Sequence, residues 1–187
     1  MSVPLQWTRT AAAILLAGLI GIGCARGDDA ASSTSSGAFH PLEIGDSVPS
    51  YESSTLAGAT VHIGPGQPVT LVNIWATWCE SCREEMADLQ HLEREFGPRG
   101  LRVIGVSVDN GDGARVRRFV EGERLTFTIA HDPDGRAQRL FRTVGVPETY
   151  LVSREGRLLW RQEGGLHGNP EAARAAVEQA LATVPAS

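Results

Sequence analysis

Cysteine is scarce in this sequence, because the 187 residues contain only Cys24, Cys79 and Cys82. The chain has one Cys-x-x-Cys motif and no pair of histidines spaced by three to five residues. A structural zinc site needs four such ligands, so the sequence argues against one. Covalent haem attachment requires Cys-x-x-Cys-His, and Arg83 occupies the histidine position. We therefore expect no metal and no cofactor.

The sequence also lacks a positive net charge and an apolar run of the length that crosses a membrane. A net charge of −5 argues against nucleic acid as a partner. The apolar run at residues 11–23 has 13 residues, whereas a membrane-spanning helix needs about 20. A run of this length is typical of the core of a signal peptide. We expect residues 1–23 to be that signal and the protein to be exported to the cell envelope.

Cys24 directly follows the apolar run, and the junction resembles a bacterial lipoprotein cleavage site. Lipidation of Cys24 would anchor the protein to a membrane, although an ordinary cleavage site or an uncleaved short anchor remains an alternative. Residues 24–38 are rich in Ser, Ala and Gly and cannot form a core, so we expect a flexible tether. The domain organisation that follows is a single globular domain over residues 39–187, and we expect a monomer.

The most informative stretch of the globular part is residues 69–86. Val69 to Trp75 is a nearly continuous apolar run rich in β-branched residues, which predicts a strand buried on both faces. From Cys82 onward the apolar positions recur every three or four residues, which predicts a helix. These positions are Cys82, Met86, Leu89, Leu92 and Phe96. The two cysteines of the motif thus lie where a buried strand turns into a helix.

This placement predicts thiol chemistry. Residues three apart on a helix are close enough for a disulfide. Cys82 lies on the apolar face and should be covered, whereas Cys79 precedes the first turn and should be accessible. The positive end of the helix favours the Cys79 thiolate, which is the attacking species in disulfide exchange. We expect Cys79 to attack a substrate disulfide and Cys82 to resolve the mixed disulfide.

The rest of the domain alternates short apolar strands with amphipathic helices, which predicts an α/β fold with parallel strand pairings. Two short runs flanking Gly58 predict an N-terminal hairpin, and a strand pair is predicted across the turn at Glu155 and Gly156. A final helix is predicted after Asn169 and Pro170, which form a favourable cap and first turn.

The sequence around the cysteines resembles the active site of thioredoxin-fold proteins, and in particular the exported, membrane-tethered reductases of the TlpA, ResA and DsbE group. The matching segments are Val72–Trp78, Val103–Asp109, Asp132–Gly135 and Gly145–Val152. The resemblance implies a thioredoxin-like fold, in which a central mixed sheet is flanked by helices. An N-terminal hairpin and an inserted strand–helix segment are expected as additions.

The same resemblance implies how the protein would act. Pro147 would have a cis peptide bond opposite the cysteines, and the Val146 backbone would pair with an extended substrate strand. From its own position next to Cys79, Trp78 is expected to shape the exposed site and to contribute to substrate binding. The implied activity is reduction of disulfides in client proteins, with apocytochrome c before haem attachment as the leading client. A membrane electron donor of the DsbD or CcdA kind would then re-reduce the protein.

Proton transfer at the second cysteine is the point where the sequence departs from thioredoxin. Thioredoxins carry a buried Asp six residues before the first cysteine, and Asn73 occupies that position. Because an amide cannot titrate, another group must move the proton. Glu80, between the cysteines, and Glu148, next to Pro147, are the candidates for proton transfer or for adjusting the cysteine pKa. A solvated position at the start of a strand is the alternative for Glu148.

Three other functions share parts of this pattern. A general periplasmic disulfide reductase or oxidase would use the same residues in either direction. A copper chaperone could combine the two cysteines with His131 or His167, although copper carriers of this fold normally separate their cysteines by three residues. A peroxidase of the peroxiredoxin class would lack its usual Pro-x-x-x-Thr-x-x-Cys pattern, since Val72 stands at the proline position.

Overall fold

A seven-stranded mixed sheet organises the protein in a computed structural model, which describes residues 40–183. The strands are β1 (Tyr51–Thr55), β2 (Thr60–Ile63), β3 (Val69–Trp75), β4 (Leu101–Ser107), β5 (Thr128–His131), β6 (Glu148–Val152) and β7 (Leu158–Glu163). Their order in the sheet is β2-β1-β5-β4-β3-β6-β7. The helices are α1 (Glu80–Glu84), α2 (Met86–Phe96), α3 (Ala114–Gly122), α4 (Arg136–Phe141) and α5 (Pro170–Ala182). Short 3₁₀ turns lie at Gly97–Arg99 and Leu166–Gly168.

The central strand is β3, whose seven residues are all buried. It pairs in parallel with β4, from Val69 opposite Leu101 to Trp75 opposite Ser107. On its other side it pairs antiparallel with β6, where Ile74 lies opposite Glu148. The predicted strand buried on both faces is confirmed, and this register brings the start of β6 next to the end of β3, where the cysteines follow.

Each face of the sheet has its own apolar core because side chains alternate along the strands. Leu71 and Trp75 face the cluster that contains Cys82, the inner side of α2 and the last helix. Val72 and Ile74 face the opposite cluster, which is filled mainly by aromatic and branched side chains. Its larger members are Tyr51, Ile63, Ile104, Phe141 and Tyr150. The two layers of packing hold β3 rigidly beneath the Cys79–Cys82 motif.

The predicted mixed α/β arrangement is confirmed, including its additions. β1 and β2 form the antiparallel N-terminal hairpin, and β6 and β7 form the expected C-terminal pair. The segment opened by Asp132 contributes α4, and β5 before it inserts between β1 and β4. The predicted signal peptide, Cys24 and the tether over residues 24–38 lie outside the described residues.

The helix predicted from Cys82 to Phe96 differs in one respect, because it is interrupted. α1 ends at Glu84 and α2 begins at Met86, with Glu85 between them in a turn. The Glu85 side chain is completely buried and hydrogen-bonded to groups outside the helix. The five apolar positions are all buried as predicted. The helix that starts at the motif is therefore only five residues long, so its dipole contributes less at Cys79 than a long helix would.

Candidate active site

Cys79 and Cys82 are joined by a disulfide, and their Cα atoms are 5.2 Å apart. Cys79 is the N-cap of α1 and has extended backbone angles, whereas Cys82 lies inside the first turn. Cys79 keeps 8% of its surface exposed and Cys82 keeps none. Cys79 is therefore the more exposed of the two cysteines, as expected. It is nevertheless more covered than its position before the helix predicted.

The surroundings of the Cys79 sulfur contain hydrogen-bond donors. The Cys82 backbone N–H donates to Cys79 Sγ over 3.2 Å. The Ser81 hydroxyl oxygen is 3.5 Å from the same sulfur. Hydrogen bonds from an N–H or O–H favour the charged form of the group that accepts them. The local geometry therefore favours a thiolate at Cys79 once the disulfide is reduced, whereas the neighbouring carboxylate of Glu80 opposes it.

The loop before β6 faces the cysteines. The Val146–Pro147 peptide bond is cis, as the resemblance implied, and the Val146 carbonyl oxygen is 3.6 Å from Cys79 Sγ. Val144, two residues earlier, is 53% exposed. Trp78, on the chain immediately before Cys79, is 61% exposed. Exposed apolar side chains thus lie close in sequence to the groups at the covered sulfur, because Trp78 immediately precedes Cys79 and Val144 lies two residues before Val146.

Glu148 holds this loop in place. It is completely buried, which contradicts the alternative of a solvated strand-start residue. One carboxylate oxygen pairs with Arg161 Nε at 2.5 Å, and the other accepts the Val144 backbone N–H at 2.9 Å. A carboxylate engaged in this way stabilises the backbone that carries Val146. Glu80, the other carboxyl group proposed from the sequence, is exposed on the surface of α1.

A third carboxyl group, which was not predicted, belongs to Glu85, which follows Cys82 by three residues and is completely buried. Glu85 Oε1 accepts a hydrogen bond from the Asn73 amide at 2.7 Å, and Glu85 Oε2 accepts the Leu166 backbone N–H at 2.8 Å. Asn73 also donates to Thr149 Oγ1 at 3.0 Å. Burial raises the pKa of Glu85 to about 7, although the two donated hydrogen bonds lower it. Glu85 can therefore exchange a proton near neutral pH.

The sequence contained a signal for Glu85. It follows Cys82 by three residues, a spacing that places two side chains on the same face of a continuous helix. That face is otherwise apolar, with Met86 and Leu89 next along it. A carboxyl group inside an apolar stripe must be paired or must shift its pKa. Asn73, six residues before Cys79, indicated that the usual proton-carrying Asp is absent. It did not indicate which residue takes over that role.

The site contains a cysteine pair with unequal access at the junction of a buried strand and a helix, and a cis proline lies opposite the pair. These features together define a class of proteins. This class is the thiol–disulfide oxidoreductases of the thioredoxin fold. The chain belongs to the AhpC/TSA family, whose family model matches residues 44–161.

Individual relatives agree with this class. The chain is 32% identical over 129 residues to the thiol-disulfide oxidoreductase ResA of Oceanobacillus iheyensis, a match that covers 66% of each protein. It is 38% identical over 97 residues to the thiol:disulfide interchange protein DsbE of Allochromatium vinosum, covering 51% of each. The matched region is thus about two thirds of the first relative's length and half of the second's. A crystal structure from Chlorobium tepidum, described as a candidate thiol:disulfide interchange protein DsbE, superimposes with a TM-score of 0.69 at 27% identity. That superposition covers 75% of this chain and 99% of the other.

Among residues 40–183, no helix combines the length and the apolar character needed to cross a membrane.

Proposed function

We propose that this protein reduces disulfide bonds in exported client proteins through the Cys79–Cys82 pair. The observation that carries the proposal is the disulfide itself, with one sulfur at the edge of an apolar surface and the other fully covered. The reduced form would present only Cys79 to a client. Cys82 would then react only within the complex, which is the arrangement that disulfide exchange through a mixed disulfide requires.

The reaction proceeds in two exchanges. The Cys79 thiolate attacks one sulfur of the client disulfide, so that a Cys79–client bond forms, the client bond breaks and one client thiolate leaves and takes a proton. Cys82 then loses its proton and attacks Cys79 Sγ, which releases the second client thiolate. Two electrons pass from the protein to the client, and the Cys79–Cys82 disulfide remains. A dithiol donor must supply two electrons for the next cycle.

Glu85 is the best-placed group to accept the Cys82 proton. It follows Cys82 by three residues, in the turn between α1 and α2, and is fully buried. Its pKa of about 7 lets it hold the proton and release it near neutral pH. Glu80 is exposed, and Glu148 is held by Arg161. In this proposal Glu85 replaces both as the proton acceptor, and Glu148 shapes the loop at Val146.

The client would bind as an extended strand along the Val146–Pro147 loop. The regular pairing of β6 begins at Glu148, so the main chain of Val146 lies outside the sheet ladder. An extended segment can add to such an edge by β-augmentation. Trp78 and Val144 would supply apolar contacts beside it. These contacts favour a protein client over a small disulfide, because only a peptide can use both the backbone and the side-chain surfaces.

The protein would act in the cell envelope. Residues 1–23 would direct its export, and lipidated Cys24 would anchor it. Residues 24–38 would tether the domain close to the membrane. Apocytochrome c is the proposed client, and a membrane protein of the DsbD or CcdA kind is the proposed donor. This part of the proposal is supported by the sequence of the first 38 residues and by the resemblance to the TlpA, ResA and DsbE group.

The test is the reduction potential of the Cys79–Cys82 pair, measured by tryptophan fluorescence in glutathione or dithiothreitol buffers. A potential near or below about −220 mV supports the reductase, because it matches glutaredoxins and thioredoxin. A potential near about −120 mV would indicate a disulfide-forming oxidant and contradict the proposed direction. Cys82→Ser should then trap the client as a mixed disulfide, and Cys79→Ser is the matched control that should trap none.

A further inference from the structure

The short chain between β3 and α1 is anchored by several hydrogen bonds, although it carries an exposed side chain. Trp75 ends β3 and Cys79 caps α1, so residues 76–78 connect the two elements. Thr77 is 7% exposed, whereas Trp78 next to it is 61% exposed. The Thr77 carbonyl accepts a hydrogen bond from Arg83 Nη1 at 3.2 Å. All the polar groups of Thr77 are engaged, because its N–H and hydroxyl both bind another residue.

That residue is Asp109, which lies two positions after the end of β4. Its Oδ2 accepts the Thr77 backbone N–H at 2.8 Å, and its Oδ1 accepts the Thr77 hydroxyl at 2.5 Å. A single carboxyl group thus accepts hydrogen bonds from both the main chain and the side chain of Thr77. Two simultaneous hydrogen bonds to one carboxylate define an orientation more strictly than either bond alone.

Asp109 is itself fixed by β4 and β5. It is 2% exposed, and its Oδ2 also accepts the Ser107 hydroxyl at 2.9 Å. Its backbone N–H donates to Ser107 Oγ at 3.2 Å, and its carbonyl oxygen lies 2.8 Å from His131 Nε2. Asp109 is therefore held by residues at the ends of β4 and β5, and Thr77 connects this end of the sheet to the chain that carries Trp78 and Cys79.

We infer that Asp109 is a positioning residue for thiol exchange, acting through Thr77 to fix the direction of Trp78 and of the Cys79 sulfur. This inference rests on the proposed role of Cys79 as the attacking thiol. Exchange requires the attacking sulfur to approach along the line of the client disulfide. Small displacements of a reacting group reduce rates steeply, on the order of 100-fold for 1 Å. The link from Asp109 to Thr77 suppresses such displacements without touching the client.

Substitutions at Thr77 test the link most cleanly, because they leave the buried carboxyl group in place. Thr77→Val keeps the shape of the side chain and removes the hydroxyl donor, whereas Thr77→Ser keeps the donor and removes a methyl group. The reduced variants are mixed in a stopped-flow instrument with a synthetic peptide that contains a disulfide. We expect Thr77→Val to slow the reaction about tenfold, and we expect Thr77→Ser to recover most of the lost rate. Asp109→Ala should slow it further, with Asp109→Asn intermediate because its amide oxygen still accepts the Thr77 N–H.

Fluorine NMR of protein labelled with 5-fluorotryptophan separates positioning from general stability. The Trp78 resonance, assigned with Trp78→Phe, should shift or broaden in Thr77→Val and Asp109→Ala, while that of Trp160 stays in place. Asp132→Asn is the matched control. Asp132 is also buried, follows the adjacent strand and accepts a backbone N–H, from Ala137 at 2.6 Å. We expect this control to lower the thermal midpoint and to leave the exchange rate unchanged.

The inference is overturned if Thr77→Val keeps the wild-type rate and the wild-type Trp78 resonance, whether or not Asp109→Ala folds. It is also overturned if Asp132→Asn slows exchange as much as the Thr77 variant does, because the effect would then be a general loss of stability. A wild-type protein that does not react with the peptide would overturn the proposed function as well. A reactive wild type with unaffected variants would overturn the inference alone.

Discussion

Replacing Glu85 by Gln should change the way the stability of the protein depends on pH. Glu85 is fully buried, and its pKa is raised from 4.5 to about 7 by burial. A glutamine has nearly the same shape and does not titrate. Turning the Asn73 amide over would bring Oδ1, which has no hydrogen-bond partner among the described residues, to the position from which Nδ2 now donates to Glu85 and Thr149. Oδ1 would then accept a hydrogen bond from the new amide, while the Leu166 N–H keeps an oxygen acceptor.

The size of the effect follows from linkage between protonation and folding. A carboxyl group with a raised pKa in the folded state binds its proton more tightly there than in the unfolded chain. Its contribution to stability is therefore fully present below pH 4.5 and is lost as the pH rises through about 7. Each unit of difference between the pKa of Glu85 in the folded protein and in the unfolded chain corresponds to about 1.4 kcal/mol. The free energy of unfolding of the wild type should fall by about 3 kcal/mol relative to the variant across this range.

Urea denaturation of the oxidised protein, followed by circular dichroism between pH 4 and pH 8.5, measures this difference. The difference between wild type and Glu85→Gln removes the contribution of every other titrating group. Glu80→Gln is the control, since Glu80 is exposed on α1, the helix that ends just before Glu85. It should show a nearly constant difference from the wild type. Parallel curves for wild type and Glu85→Gln would refute the raised pKa, and with it the assignment of Glu85 as the proton acceptor.

Three further predictions concern the loop and the surface of the site. Glu148→Ala should lower the free energy of unfolding by about 3 kcal/mol, because Arg161 and the Val144 N–H lose a buried acceptor, and an unchanged urea midpoint would contradict this. Trp78→Ala should slow peptide-disulfide reduction about tenfold with an unchanged reduction potential, since apolar contact with the client is lost; equal rates would show that clients do not contact Trp78. Glu80→Gln should leave the pH profile of peptide reduction within about twofold of wild type, because exposed charges interact weakly. A displaced profile would return Glu80 to the proton-transfer role.

Local patterns along the chain were sufficient to predict much of the fold. The buried strand Val69–Trp75 and the apolar positions of the following helix were correct because periodicity reports which side of an element faces the core. The hairpin at β1 and β2 was also correct, since it forms between neighbouring segments. The break at Glu85 was not predicted. The buried side chain at the break is hydrogen-bonded to Asn73 and Leu166, and no local sequence pattern links these three positions.

The sequence by itself determined the chemistry of this protein. Two cysteines spaced by three positions at the start of a helix specify a pair that can form a disulfide, and the adjacent strand specifies which cysteine is covered. Only the tertiary structure decided which carboxyl groups are buried and which residues pair with them. Glu85, Glu148 and Asp109 are all buried, but each is paired by a residue that lies 12 or more positions away in the chain. The pKa and the orientation of a buried carboxyl group depend on such partners, and only folding brings them together.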